Sequence, residues 1–310
     1  MLGPIQVNHP SGRFDRIDAL AGKNQSIILN ISRENVFQLF KYTVYALLTL
    51  NVYLFFAEEW AAASHRFVNG VALEDIIEGF AASIDTAAWV VLLLMFELET
   101  YVLSDEQFSR RVTWTLHGIR ATCYAFIVYA FYGYVRKLLF LFNAVPLANV
   151  SDLCSLVANQ WAYAVDFDEY EVITAANCAT VSTATSFFQL SGLTAVVDAL
   201  GLRDITRLAW VDVINSAVWL LVVMVLELDV FFQERNRLEG MILRVSNASK
   251  FALYSLLLLA AIYWGVKGDF VDFWDAFLWL IAFVFIELNV FEWRQESLEQ
   301  QAEAQISGTA

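Results

Sequence analysis

Six apolar stretches constrain this chain more than any other feature. They fall at roughly 36–57, 80–103, 119–142, 208–232, 250–267 and 273–292. A helix that crosses the hydrocarbon of a bilayer needs about 20 mainly apolar residues, and lipid offers its backbone no polar partner outside the helix itself. Each stretch approaches that length, so each reads as a transmembrane helix. Composition agrees: 59% of the 310 residues are hydrophobic, 15% are aromatic and the mean hydropathy is +0.55, which leaves too little polar surface for a soluble domain of this size. The first 35 residues hold Pro4, Pro10 and several charges but no apolar h-region. This predicts that no signal peptide is cleaved and that the first helix acts as the targeting element.

Three of the stretches superimpose without a gap: DTAAWVVLLLMFELETY, NSAVWLLVVMVLELDVF and DAFLWLIAFVFIELNVF. Trp89, Trp219 and Trp279 coincide, and Glu97, Glu227 and Glu287 follow eight residues later, each before a Leu. The next column is Glu99, Asp229 and Asn289, and four residues before each Trp stands Asp85, Asn215 or Asp275. The preceding helices share a weaker pattern, in which Lys41, Arg120 and Lys250 each precede a Tyr by four (Tyr45, Tyr124 and Tyr254), with Tyr53, Tyr132 and Tyr263 further on. Self-similarity of this kind marks duplicated units. The expected fold is an all-α polytopic membrane protein of six transmembrane helices, built as three tandem helical hairpins with an extracytoplasmic insertion between helices 3 and 4. The expected organisation is an N-terminal segment 1–35, a first hairpin 36–103, a second 104–232 with the insertion 143–207, a third 233–292 and a tail 293–310.

Carboxylates within apolar helices need partners. At 1.5 Å per residue, Lys41 and Glu97 share a depth in an antiparallel hairpin, as do Arg120 with Glu227 and Lys250 with Glu287. Each hairpin is therefore expected to hold one ion pair, and removing one member costs more than removing both. Tyr53 with Asp85, Tyr132 with Asn215 and Tyr263 with Asp275 share a second depth, where a phenol donates to a carboxylate or amide. Glu99 and Asp229 lie two residues past their neighbours, about 200° round the helix, and are expected to point elsewhere, toward the headgroups.

The distribution of Lys and Arg places both termini in the cytoplasm of a bacterial cell and residues 143–207 outside it, in the inner membrane. Cys154 and Cys178 both fall in that insertion, where a disulfide persists, with two free thiols as the alternative. Cys123 reads as a small packing residue. The insertion suits either a short amphipathic or re-entrant element or a small folded cap. Its run DFDEYE lacks the order of an EF-hand loop.

Most chemistries are excluded. His9, His65 and His117 are unpaired at helical spacing, and there is no G-x-S-x-G, P-loop or dinucleotide fingerprint. No cofactor and no metal site is expected, and a formal charge of −14 argues against nucleic acid. The partners expected are the lipid bilayer and either another membrane protein or further copies of the chain. Ionisable residues inside a membrane mark ion paths by default, and acidic ends such as Glu58, Glu59, 166–171, Asp204, Asp269 and Asp272 favour cations. A channel or transporter for protons or small cations is the leading expectation. A non-catalytic scaffold or accessory subunit, in which each Glu only neutralises its own hairpin and the Trp column only packs, is the alternative. A membrane enzyme acting on a lipid or quinone ranks third.

Overall fold

The computed structural model describes residues 14–66, 76, 79–99, 109–148, 150–235 and 238–285. Its helices are α1 (Phe14–Arg66), α2 (Ala81–Glu97), α3 (Arg110–Leu141), α4 (Ala199–Glu234) and α5 (Gly240–Lys267), followed by a helical stretch over residues 270–285, here α6. The chain divides into two units, Met1–Ala46 and Leu47–Ala310. The first contains the beginning of α1, where Lys41 Nζ lies 5.0 Å from the Tyr42 ring centroid and Tyr42 meets Tyr45 edge-on. The helix starts at Phe14, well before the expected boundary at residue 36, and no proline lies between Pro10 and Pro146 to interrupt it. The tail 293–310 and Glu287 lie outside the described residues.

Four helices are long and apolar enough to cross a membrane: Asn35–Ala63 within α1, Arg110–Leu141, Ala199–Gln233 and Gly240–Lys267. Helix α2 covers 17 residues, below that length, and α6 is shorter still as described. In the second unit α2 packs on α3, α3 on α4 and α4 on α5. Large apolar side chains such as Phe251, Leu259 and Val266 stay exposed along α5. A continuous apolar surface on a helix is what a lipid solvent requires and what water penalises.

Local chemistry sets the helix ends. No side chain at the N-cap of α2 satisfies its first N–H groups. The buried Glu59 of α1 does so instead, accepting from the amides of Ala82 (2.9 Å) and Ser83 (3.1 Å) and from the Ser83 hydroxyl. A carboxylate at a helix N-terminus answers both the orphan donors and the helix dipole. Helix α5 stops at Gly268, whose φ of 89° gives the left-handed turn, and its amide donates to Trp264 O.

Residues 145–198 add a small sheet to a protein that is otherwise helical, as expected of an all-α membrane protein. They form a mixed five-stranded sheet in the order β1-β4-β5-β2-β3, with β1 Val145–Pro146, β2 Ala162–Ala164, β3 Tyr170–Val172, β4 Phe187–Gln189 and β5 Ala195–Asp198. Strands β2 and β5 run parallel and the other pairs antiparallel. The insertion is a folded cap, not an amphipathic or re-entrant element. It is also shorter than expected, because helix α4 already begins at Ala199.

The alternation of β5 explains how the cap is seated. Ala195 and Val197 point to one face, against Leu138 and Leu141 of α3 and Ile205 and Ala209 of α4. Val196 points to the other, against Leu153, Leu156, Ile173, Cys178 and Phe187. Period-2 patterning thus gives the strand two cores. Cys154 and Cys178 are joined by a disulfide across a sequence separation of 24. The strand ends at Asp198, which caps α4 by accepting from the amides of Leu200 (2.9 Å) and Gly201 (2.8 Å). Its other oxygen accepts from Tyr163 (3.0 Å) and Ser182 (2.5 Å). Gly201 must be glycine here, since a Cβ would lie 2.7 Å from Val197 Cγ2 and 2.9 Å from the Tyr163 hydroxyl.

Burial pushes the Asp198 carboxyl up, but the bonds from Gly201, Ser182, Tyr163 and Leu200 outweigh it and hold the group below its ordinary value. Burial, reinforced by the Asp198 charge, pushes Tyr163 up to about 12. A depressed carboxyl stabilises the fold above its unfolded pKa of about 4 and loses that contribution as pH falls through the lower folded value. Hydrogen exchange at the β4–β5 amides should therefore quicken in acid, and Asp198→Ala should weaken protection at neutral pH by about 1–2 kcal/mol. Reducing the disulfide should cost a further ~3 kcal/mol, read by the same exchange.

Candidate functional site

The site begins with three indoles. Trp89, Trp219 and Trp279 are buried and meet in a ring, with centroids 5.9 Å (89–219), 6.2 Å (89–279) and 6.3 Å (219–279) apart. Trp219 also packs 4.6 Å from Phe283. Such separations are those of favourable edge and tilted aromatic pairs. The triad draws α2, α4 and α6 around one axis, which brings the residues about one turn from the indoles on these helices toward that axis.

One turn before the indoles, about 6 Å along the helices, stand Asp85, Asn215 and Asp275. Trp89 and Trp279 turn their indole N–H groups toward Asp85 and Asp275 respectively. Asn51 of α1, fully buried, donates from Nδ2 to Asp275 Oδ1 at 2.9 Å. In the equivalent positions of the next two hairpins stand the buried Ala130 and Ala260.

Three residues earlier again, Ala82, Asp212 and Asp272 line a cavity of about 610 Å³. The next columns of the odd-numbered helices line it too: Phe55, Tyr134 and Trp264, then Glu58, Lys137 and Lys267. The β2–β3 hairpin of the cap forms the remaining wall with Asp166, Asp168 and Glu169. Eight acidic side chains and two lysines line the space. Lys137 is held there by Asp168 at 2.5 Å and Asp212 at 3.6 Å, with its Nζ 4.9 Å from the Phe167 centroid. Lys267 turns to Asp204 at 3.0 Å. Burial lifts the Asp269 carboxyl above the usual carboxylate range. Among the described residues, no group of three or more His, Cys, Asp or Glu is arranged to hold a metal ion.

One expected ion pair is rearranged, and the expected Lys250–Glu287 pair has a member outside the described residues. Arg120 binds Glu99 at 2.7 Å, and Glu227 instead accepts from the Tyr124 hydroxyl at 3.0 Å. Lys250 meets Asp229 at 3.3 Å, and Ser246 donates to the same oxygen at 2.7 Å. The second acidic column does point elsewhere, as its 200° offset requires. Its target is the cation of the following helix, not the headgroups. Lys41 and Glu97 are both buried, at 0% and 6% exposure.

The outer tyrosines are also misassigned by depth alone. Tyr53 is 63% and Tyr132 51% exposed, Tyr132 stacks on Tyr129 at 5.9 Å, and neither donates to Asp85 or Asn215. Twelve residues rotate a helical position by about 120°, so a tyrosine at the right depth faces away from the partner. Asp275 takes its bond from Asn51, whereas the Tyr263 hydroxyl is buried without a partner among the described residues. Asn51 and Asp212 carried a legible signal, a polar residue in a column of alanines and an acid one turn from the Asp85 column.

Lys137 is the cation on which the cavity wall depends. Its replacement by Ala removes the cation beside the largely buried Asp212 and should destabilise the protein by about 3–5 kcal/mol, whereas Lys267→Ala, in an exposed pair, should cost less than ~1 kcal/mol. Thermal unfolding in detergent reads both. Compared with protein-family models, with curated proteins and with solved structures, the chain matches none.

Proposed function

We propose that this protein is an integral membrane channel or transporter for protons or small cations. In this reading α2 and α6 complete a set of six spans, in three hairpins. Both termini are cytoplasmic, the cap is extracytoplasmic, and the membrane is a bacterial inner membrane. The observation that carries the proposal is the stacking, along one axis, of the acidic cavity on the Asp85, Asn215 and Asp275 column. An acid-lined recess with low-dielectric walls concentrates cations and raises their rate of entry. Ionisable groups below it supply stations within the bilayer.

The indole ring supports a gated route over an open pore. Centroid separations of 5.9–6.3 Å leave no water-filled passage between the three rings. Passage then requires the even-numbered helices to separate or rotate. Helices without internal proline suit rigid-body rocking of hairpins better than the unwound segments of many secondary transporters. On the far side of the indoles, Glu227 with Tyr124, together with Glu97, provides the inner acidic layer.

A second reading, a scaffold or accessory subunit, draws on the aromatic row of α6. Phe270 stacks on Trp274 (6.2 Å) and Trp274 on Phe277 (6.0 Å), with Phe270 and Phe277 exposed as a flat surface for a partner helix. A stable stoichiometric partner in mild detergent would favour it.

Reconstituted vesicles separate the two. Under the transport reading, an imposed cation or proton gradient drives flux through the wild type, and Asp212→Asn and Glu227→Gln each lower it by about tenfold, a barrier change of ~1.4 kcal/mol. Absence of flux from the folded wild-type protein would sink the transport reading.

A further inference from the structure

Buried oxygens without hydrogen-bond donors stand one helical turn from residues that line the cavity. Asn51 is 0% exposed, its Nδ2 is spent on Asp275, and its Oδ1 has no partner among the described residues. Asn215 Oδ1 and Asp85 Oδ1 are likewise buried without a partner. A buried polar atom left unsatisfied costs about 1–3 kcal/mol, and three at one level demand a common explanation. The repeat brings them together: Asp85, Asn215 and Asp275 occupy the same column, one turn from the indole ring, and Asn51 is tied to Asp275. All three orphaned atoms are acceptors.

We propose that Asn51, Asp85, Asn215 and Asp275 form a binding site for one dehydrated alkali-metal cation. The donor set is oxygen only, the chemistry of a hard cation and not of zinc or copper. Two of the four ligands are neutral amides, which suits a singly charged ion better than a site built of carboxylates alone would. The nearest polar space is the cavity, whose lining residues Asp212 and Asp272 lie three residues, about 4.5 Å, from the ring. The indoles of Trp89, Trp219 and Trp279 close the opposite side. Asn51 is the asymmetric element, since the matching positions are Ala130 and Ala260. One polar ligand is thereby added from a single hairpin.

The inference deepens the transport reading by naming where a cation rests, but occupancy is measurable without transport. The full chain in detergent is titrated with NaCl, KCl or LiCl against choline chloride at constant ionic strength. Melting temperature and tryptophan fluorescence are followed, because the site abuts three indoles. The expected result is a saturable response to at least one alkali cation and none to choline. Asn215→Leu and Asn51→Leu should each weaken that cation's apparent affinity about tenfold or more. Asn215→Asp, which gives the ring a third carboxyl and keeps the shape, should strengthen it, and it serves as the readout if a leucine variant fails to fold. A folded wild type indifferent to all three salts would overturn the site, as would a response that tracks pH alone or an Asn215→Asp variant identical to the wild type. Saturable binding without flux keeps the site and removes the transport reading; flux without saturable binding does the reverse.

Discussion

The mutual packing of Trp89, Trp219 and Trp279 is the constraint from which the rest of the site follows. Helices in lipid gain little from excluding apolar surface, because the tails are as apolar as the side chains. Their arrangement has to come from shape and from polar contacts. Three large indoles meeting at one level supply the shape. Once they meet, every residue one turn away in the duplicated helices is brought toward the same axis, whether or not it has a partner there.

Polar contacts then lock the bundle in register. Glu59 caps α2 from α1, Arg120 ties α3 to Glu99, Tyr124 reaches Glu227, and Lys250 holds Asp229. Each links a helix to a different one, and each places a charge or a donor where lipid gives no alternative. The cap adds a further lock. Asp198 belongs at once to β5 and to the N-terminus of α4, so the sheet and the helix cannot shift independently. Through Asp168 and Lys137, the same cap closes one wall of the acidic cavity.

Charge is distributed unevenly along the axis. At the cavity, eight acids face two lysines; among the next polar residues no cation appears, only amides and carboxyls; beyond the indoles, basic residues return beside their acids. A bundle needing only neutralisation would pair its acids throughout, as it does near Arg120 and Lys250. The surplus at one end, next to oxygens without donors, is the departure from that economy and the reason for assigning the site to a cation.

Much was legible in the chain itself. Hydropathy alone located the four helices long and apolar enough to cross a membrane, and exact spacing revealed the Trp, Glu and Asp columns of the sequence, because a helix converts sequence distance into depth at a constant rate. Depth is not direction, however. Arg120 and Glu227 share a level yet do not pair, and Tyr53 sits at the right height on the wrong face. The short strands of 145–198 were hidden for a different reason: two to four residues each, they carry too little periodicity to register. Only the tertiary structure decided which faces meet, that Asn51 reaches Asp275, and that the cap closes over the acids. Those facts depend on the rotation of each helix about its own axis, which is set by packing against neighbours distant in sequence.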